Sequence, residues 1–316
     1  MLTTAGENLD VAIDANPPLD IDVIIPTLNP GRELELLIRA LLACGVKSDQ
    51  IFVVDSSSTD GCVEAATLLG ARSYVIPRQD FGHGKTRKLA VELTSAPVLV
   101  FLTQDAIPAD PAAINELCAP LLGDNPVSLC FGRQIPKPGA KRAESFARRY
   151  NYGDESYTRE LADAVALGPK VTFCSNSFSA YLRSDLLSIG NFSELARFSE
   201  DQIVAALLLN DGKKIAYSAD AKVYHSHSYN YEQEFRRYFD IGVFRKQFQY
   251  IFAEFGPLEG EGMKYVMAEL AELEWFDLVG IFDVIIRSAA KYIGFRMGLV
   301  STQIPKAFKD RLSMFH

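Results

Sequence analysis

Asp105 follows an unbroken apolar run, Val98-Leu99-Val100-Phe101-Leu102, within the segment Thr103-Gln104-Asp105-Ala106-Ile107-Pro108. A short run of this kind, bounded by Pro97 and Pro108, suits a strand buried on both faces of a sheet, and it delivers the carboxylate to the strand's carboxyl end. Open α/β sheets bind ligands at that edge, so a carboxylate there can hold a metal ion, a ribose or a phosphate-bound cation. An Asp at a strand exit also serves plain turns. Other clusters supply the chemical context.

Gly82-His83-Gly84-Lys85-Thr86-Arg87-Lys88 places two glycines and three basic residues at the start of a helix. Backbone N–H groups, the helix dipole and the basic side chains together favour an anion such as a diphosphate. Without one, cations at a helix N-terminus are unfavourable, which argues against an ordinary glycine turn. His225-Ser226-His227 holds half of the four histidines. On a strand, positions two apart face one side, so both imidazoles can point into one site, where either can join Asp105 around divalent Mn or Mg beneath a diphosphate; paired surface histidines are the plainer reading. Phe198-Ser199-Glu200-Asp201 precedes the apolar run Ile203 to Leu209, so Ser199 is expected to cap a helix whose first turn carries two carboxylates. Acids there are ordinary dipole partners, yet one suffices as a general base. Val54-Asp55-Ser56 sets a carboxylate at another strand tip, in reach of a pyrimidine imide or a ribose hydroxyl. Ser175-Asn176-Ser177-Phe178 puts polar residues into a strand-like segment, as a cleft wall or a hydrogen-bonded loop does.

Alternating strands and helices must position these groups. Ile21-Asp22-Val23-Ile24-Ile25-Pro26 reads as a first strand, and Leu34, Leu37, Ile38, Leu41 and Leu42 follow at helical spacing. A strand at Ile51 to Asp55, a helix ending near Gly70, a strand at Ser73 to Ile76, a helix at Lys85 to Leu93 and the Val98 strand continue the alternation. The class is α/β with a largely parallel sheet and right-handed crossovers. No Gly-x-Gly-x-x-Gly separates the first two strands and no Gly-x-x-x-x-Gly-Lys-Ser/Thr occurs, so the dinucleotide and P-loop signatures are missing. Beyond Pro126 we expect a strand at Val127 to Arg133, a helix-rich stretch from Ala140 to Ala166, and strands across Lys170 to Leu182 and Ala221 to Ser228. From Phe235 the chain reads as helical and rich in aromatics.

With 48% hydrophobic and 23% charged residues in 316, the chain has ordinary soluble composition and can bury a sizeable core. Its net charge of -8 argues against a nucleic-acid partner, because an acidic surface repels phosphate backbones. Five scattered cysteines without a Cys-x-x-Cys pair suit reduced thiols in a cytosolic protein. Residues 1–20 carry neither a basic start nor an apolar stretch and read as a flexible leader. No segment has the uncharged length of a membrane span, since Leu278 to Val300 is broken by Asp283, Arg287, Lys291 and Arg296.

In order, Ile25-Pro26-Thr27-Leu28-Asn29, Val54-Asp55-Ser56, Asp80-Phe81-Gly82-His83-Gly84 with Thr86-Arg87, Leu102-Thr103-Gln104-Asp105-Ala106, Ser175-Asn176-Ser177-Phe178, Glu200-Asp201 and His225-Ser226-His227 make up a set. That set resembles the rhamnosyltransferases of glycosyltransferase family 2, bacterial enzymes that build O-antigen and related surface polysaccharides. The resemblance is dense from Ile21 to Arg245. It implies a GT-A fold, a Rossmann-like αβα sandwich, and inverting transfer of L-rhamnose from dTDP-L-rhamnose to a lipid-linked glycan. It further implies a catalytic domain over 21–230, split into a nucleotide-sugar half (21–125) and an acceptor half (126–230), followed by a helical extension over 231–316. Pro26, Thr27, Asn29, Asp55, Gly84, Lys85, Arg87, Gln104 and Asp105 would bind the nucleotide sugar, with Asp55 on the pyrimidine or ribose and Arg87 on the diphosphate. Asp105 would hold the divalent Mg or Mn in a shortened Asp-x-Asp motif, Gln104-Asp105-Ala106, which leaves a ligand position for His225 or His227. Asp201 would be the base beside Glu200, and Asn176 and Phe178 would meet the acceptor. A family member using another nucleotide sugar, or a binding protein that has lost catalysis, are the alternatives.

The tail adds one expectation. Residues 284–316 hold six Lys or Arg against one Asp, a local excess of five positive charges. Asp283, Arg287 and Lys291 fall four apart on one helical face. A basic amphipathic tail of this kind reads as a helix on the cytoplasmic surface of the cell membrane. A helix packed on the catalytic domain or in a homo-oligomer is the alternative.

Overall fold

The computed structural model describes residues 19–196, 198–256 and 260–314, so the leader expected at 1–20 lies almost wholly outside the described residues. The strands are β1 (Ile21–Thr27), β2 (Ile51–Asp55), β3 (Arg72–Val75), β4 (Val98–Leu102), β5 (Ile107–Pro108), β6 (Leu129–Ile135), β7 (Tyr157–Arg159), β8 (Phe178–Leu182) and β9 (Ile215–Tyr224). They form one sheet in the order β3-β2-β1-β4-β8-β6-β9-β5, with β7 added to β9. The pairs β2–β3, β1–β2 and β1–β4 are parallel, as the strand–helix alternation requires. The second half is mixed. There β8 runs antiparallel to both β4 and β6, β6 and β9 are parallel, and β5 and β7 run antiparallel to β9.

Helices cover both faces: α1 (Arg32–Ala43), α2 (Cys62–Leu68), α3 (His83–Leu93), α4 (Ala113–Leu122), α5 (Arg142–Asn151), the short α6 (Ala164–Leu167) and α7 (Arg183–Ser188), and α8 (Glu200–Asn210). Because strand residues alternate, Val23, Ile25, Val53 and Val100 pack under α1, α2 and α4, while Ile24, Leu99 and Phe101 pack under α3 and α8. Strand β4 is buried along its whole length, which explains its unbroken apolar sequence. All five cysteines are buried and unpaired.

Several expected elements move. Gly168–Thr172 is a 3₁₀ turn and the strand expected from Lys170 begins only at Phe178. Gly168 takes a positive φ and Pro169 follows it, which sets a turn in place of a strand. Only Arg142–Asn151 of the stretch after Ala140 is a long helix. Strand β9 ends at Tyr224, so His225 and His227 sit in the chain leaving the strand.

The C-terminal part contains α9 (Tyr231–Gln247), α10 (Glu261–Ala271), α11 (Leu278–Leu299) and α12 (Lys306–Leu312). Helices α9 and α11 touch backbone to backbone. A Cβ at Gly294 or Gly298 would overlap the carbonyl oxygen of Phe235 or Phe239, and one at Gly242 that of Phe295. This close seam fixes which side of α11 faces in. Arg287 donates to the Tyr229 carbonyl at 2.8 Å and pairs with Asp283 at 3.2 Å and Glu234 at 3.4 Å, while Lys291 lies 3.7 Å from Glu234. The charged stripe therefore points inward, opposite to the outward basic face expected of a surface helix. Val279, Phe282, Ile286 and Ile293 face out and are 46–82% exposed, next to Trp275 at 84%. No described helix is long and apolar enough to cross a membrane.

Candidate active site

Ser199, in the left-handed region at φ 55°, turns the chain into α8 without a side-chain cap, contrary to the capping role expected of it. The turn throws Glu200 and Asp201 into the protein. Glu200 is only 3% exposed, and its Oε1 accepts from Arg87 Nη1 at 2.5 Å and from Asn176 Nδ2 at 3.0 Å. Asp201 accepts from the backbone N–H groups of Asn176 at 3.0 Å and Gln202 at 2.8 Å. Ser179 and Tyr181 hydroxyls donate to Asn176 Oδ1 at 2.8 and 2.5 Å, so one buried residue aligns both acids, Glu200 through its side-chain amide and Asp201 through its backbone N–H. Burial works to raise both carboxyls. The charge of Arg87, then that of His83, nevertheless holds Glu200 below its ordinary value. Burial and the Glu200 charge push Asp201 up to about 7. A carboxylate near neutrality is matched to accepting a proton from a hydroxyl at working pH.

Across the cavity, Asp105, His225 and His227 each offer one ligand atom, all within 4.8 Å of one another. Asp105 Oδ1 lies 3.5 Å from His225 Nε2, and Oδ2 lies 3.5 Å from His227 Nε2. The Nδ1–H of His225 donates to Gln134 Oε1 at 2.8 Å. Burial lowers the His225 pKa and keeps the ring neutral, so its buried, unpartnered Nε2 turns a lone pair towards a carboxylate. Two acceptors facing each other repel unless a cation lies between them, and carboxylate with imidazole is a fitting donor set for Mn. The residues therefore fit a divalent ion. Gln134 also accepts from Arg148 at 2.5 Å and donates to Ser175 Oγ at 2.9 Å. It thus ties the histidines to the loop that holds the acidic pair.

The other expected donor residues gather at the same sheet edge but are mostly engaged with one another. Asp55 is 1% exposed and accepts from Thr27 Oγ1 at 3.2 Å, Ser58 N–H at 2.8 Å and Ser58 Oγ at 2.5 Å. Its carboxylate, expected on the pyrimidine or ribose, closes a turn here. Asn29 takes a positive φ and accepts from Thr59 N–H, and Gln104 accepts from Leu28 N–H at 2.9 Å, which locks the exits of β1, β2 and β4 together. Pro26 sits half-buried in β1.

The basic helix start departs most. The 193–196 loop covers α3: Gly84 donates to the Ala196 carbonyl at 3.3 Å, and a Cβ there would strike the Ser193 carbonyl. Gly84 is required here by this close packing. Lys85 pairs with Asp80 at 2.9 Å on the outside, and Lys88 with Glu194 at 2.5 Å. Arg87, expected on a diphosphate, meets the internal anion Glu200. Phe178, expected at the acceptor, is a core side chain with no exposure, its ring filling the space above Gly132. Asn176 does line the cavity.

That cavity, about 540 Å³, is walled by Glu200 and Asp201, by His225 and His227, and by α5, α9, α10 and α11. Sequence reasoning missed Arg148, Arg237, Tyr238, Arg245 and Tyr265. A signal existed for some: Glu234, Arg237, Tyr238, Ile241 and Arg245 recur at helical spacing and all reach the cavity.

A parallel half joined through one sheet to a mixed half, with a cluster that could hold a metal ion near a carboxylate pair, is the architecture of a glycosyltransferase of GT-A type. The profile described as glycosyl transferase family 2 matches residues 22–190, and the chain belongs to that family. It is 37% identical over 299 residues to the O-antigen chain rhamnosyltransferase RfbN of Salmonella typhimurium, covering 94% of this chain and 95% of that one. It is 36% identical over 295 residues to the O-antigen chain rhamnosyltransferase WbaN of Salmonella anatum, covering 93% of each. Among solved structures, the mannosyltransferase PcManGT from Pyrobaculum calidifontis, in complex with GDP-Man and Mn2+, has a TM-score of 0.60 at 15% identity over 95% of this chain and 91% of that one.

The Arg87–Glu200 pair, each side chain 4% exposed, makes a test of the site's framework. Arg87→Met strands a buried carboxylate and is expected to cost about 3–5 kcal/mol. Adding Glu200→Gln is expected to restore most of that. Equal urea midpoints for the wild type and the single variant would refute the dependence.

Proposed function

We propose that the protein is an inverting rhamnosyltransferase that moves L-rhamnose from dTDP-L-rhamnose to a lipid-linked glycan in surface polysaccharide synthesis. The observation that carries the reading is a near-neutral carboxylate, Asp201, that lines one cavity together with His225 and His227, the two imidazoles grouped with Asp105. The rhamnosyltransferase names of two relatives that align along nearly the whole chain support the sugar.

In this mechanism Asp201 takes the proton of the acceptor hydroxyl as its oxygen attacks the anomeric carbon, on the face opposite the departing diphosphate. The N–H groups of Asn176 and Gln202 keep that carboxylate aimed. Glu200 stays ionised against Arg87 and, by its charge, keeps Asp201 basic enough to act. Mn or Mg held by Asp105, His225 and His227 would supply positive charge to the leaving diphosphate. The edge built from Pro26, Thr27, Asn29 and Gln104 frames the nucleotide.

The outward apolar face of α11 supports a peripheral position on the cytoplasmic leaflet, with the cavity side of the same helix turned to the acceptor. Val279, Phe282, Ile286 and Ile293 with Trp275 present the apolar and aromatic surface that interfacial helices bury. Of the basic residues that first suggested this position, Arg287 and Lys291 lie inside while Arg296 and Arg311 are exposed, and the apolar face is the stronger support. A second copy covering the same face is the competing reading.

Three measurements test these statements. In a panel of nucleotide sugars with Mn or Mg, turnover is expected with dTDP-L-rhamnose and loss of at least about 100-fold on Asp105→Ala; preference for another donor would overturn the sugar. Transfer is expected to rise with pH along a limb near 7, since Asp201 must lose its proton. Glu200→Gln removes the like charge and moves that limb to lower pH, and Asp201→Asn abolishes transfer; a limb unmoved by Glu200→Gln would dismiss Asp201 as the base. Anionic vesicles are expected to sediment the protein, and a Phe282→Ser/Ile286→Ser variant to remain in the supernatant. Equal sedimentation of both proteins would dismiss the apolar face as the anchor.

A further inference from the structure

The segment that leaves β6, Pro136-Lys137-Pro138-Gly139-Ala140, brings a cation to the candidate metal cluster. Ile135, the last residue of β6, lies opposite Tyr224, the last of β9, and its carbonyl accepts from the His225 N–H at 3.0 Å. Lys137 and Ser226 therefore leave neighbouring strands side by side, and the Lys137 N–H donates to Ser226 Oγ at 3.0 Å. Pro138 and Gly139, the latter at φ 81°, make a turn closed by the Ala140 N–H on the Lys137 carbonyl at 3.0 Å. The backbone of Lys137 is thus bound through both its N–H and its carbonyl, while its side chain is 32% exposed and can move. Its Nζ lies 3.7 Å from Asp105 Oδ2, the oxygen that His227 also approaches, and 3.8 Å from Glu33 Oε1 in the first turn of α1. Both gaps exceed hydrogen-bond length. Charge draws the ammonium to these carboxylates, and its N–H donors are left for a closer acceptor.

Charge at this point balances only when two ligands are present. Asp105 is the one carboxylate in the cluster, and burial keeps both imidazoles neutral. A divalent ion held on Asp105 Oδ2 would share that oxygen with the ammonium, and like charges so close repel. Glu33 offsets little of this, since its side chain is 53% exposed and water screens it. Ion, ammonium and Asp105 together leave two positive charges in excess, which answers the two negative charges of a nucleotide sugar's diphosphate. Helix α1, which carries Glu33, follows the exit of β1, so Lys137 stands on the side of the cluster where the nucleotide is framed.

We propose that Lys137 couples the metal ion to the donor: its ammonium competes with the ion for Asp105 in the free protein and passes to the donor diphosphate when both are bound. The proposal rests on the transferase reading above and adds a residue to the donor side of its site. Each ligand then raises the affinity for the other by the same factor.

The test uses full-length protein and reads binding in place of turnover. Mn2+ is titrated into the nucleotide-free protein by electron paramagnetic resonance, and dTDP, UDP and GDP are titrated by calorimetry with Mn2+ present. Without nucleotide, Lys137→Gln is expected to bind Mn2+ at least about threefold tighter than the wild type, the scale of a partly exposed ion pair. The same variant is expected to bind the best nucleotide about tenfold more weakly, the scale of charge-assisted hydrogen bonds. Lys137→Arg is expected to keep most of the nucleotide affinity, because the charge remains. Opposite signs in the two titrations separate this role from a structural lesion, which would weaken both. Mn2+ affinity that is equal or lower in Lys137→Gln overturns the competition, as does Mn2+ binding that survives Asp105→Ala. Nucleotide affinity that Lys137→Gln leaves unchanged overturns the coupling while the transferase reading stands. A wild type that binds none of the three nucleotides overturns that reading and the proposal with it.

Discussion

Two carboxylates adjacent in sequence and buried at one helix start cannot both be ionised in a dry site without help, and Arg87 supplies it. Its guanidinium neutralises Glu200 from the neighbouring helix α3, and Asn176 ties the pair to the loop before β8. Glu200 then acts on Asp201 as a fixed negative charge. One acid is held ionised and the other is held near neutrality, so the two take different roles from their environments alone. Helix α3, the 175–177 loop and α8 must all be in place for this, which makes the pair a constraint on the fold as much as a piece of chemistry.

The candidate metal cluster is built by a similar economy. The short motif around Asp105 contributes a single carboxylate, and the two imidazoles arrive from the end of β9. Pairing of β5 with β9 brings Ile107 opposite Tyr224 and so draws the segment after Asp105 to the chain before His225. Gln134, from β6, fixes the His225 tautomer and connects to Ser175 beside Asn176. The antiparallel pairings that depart from a simple parallel sheet are thus what assemble the cluster.

The C-terminal helices reverse the usual amphipathic logic. Glycines on α9 and α11 let the two backbones touch, and this seam turns the ionic stripe of α11 towards the cavity and its apolar side outward. Charge inside is affordable because the cavity is polar and because Glu234 answers Arg287 and Lys291. The extension is therefore a wall of the cavity as well as a surface.

Much of this was legible in the residues. The buried strand before Asp105, the α/β alternation, the acidic pair and the two histidines are local patterns, since period and burial leave a direct mark on sequence. What tertiary structure alone decided was which partner each charged group meets. The basic start of α3 does meet an anion, but that anion is Glu200, 113 residues away. Asp55 closes its own turn, Phe178 fills the core, and Arg237 and Arg245 reach the cavity because α9 packs across it. A sequence states charge and spacing, whereas the compensation of a charge depends on contacts made between distant segments. For that reason the position of Asp105 at the end of β4 and its two histidines could be read from local pattern, whereas the partners of Arg87, Asp55 and Arg245 could not.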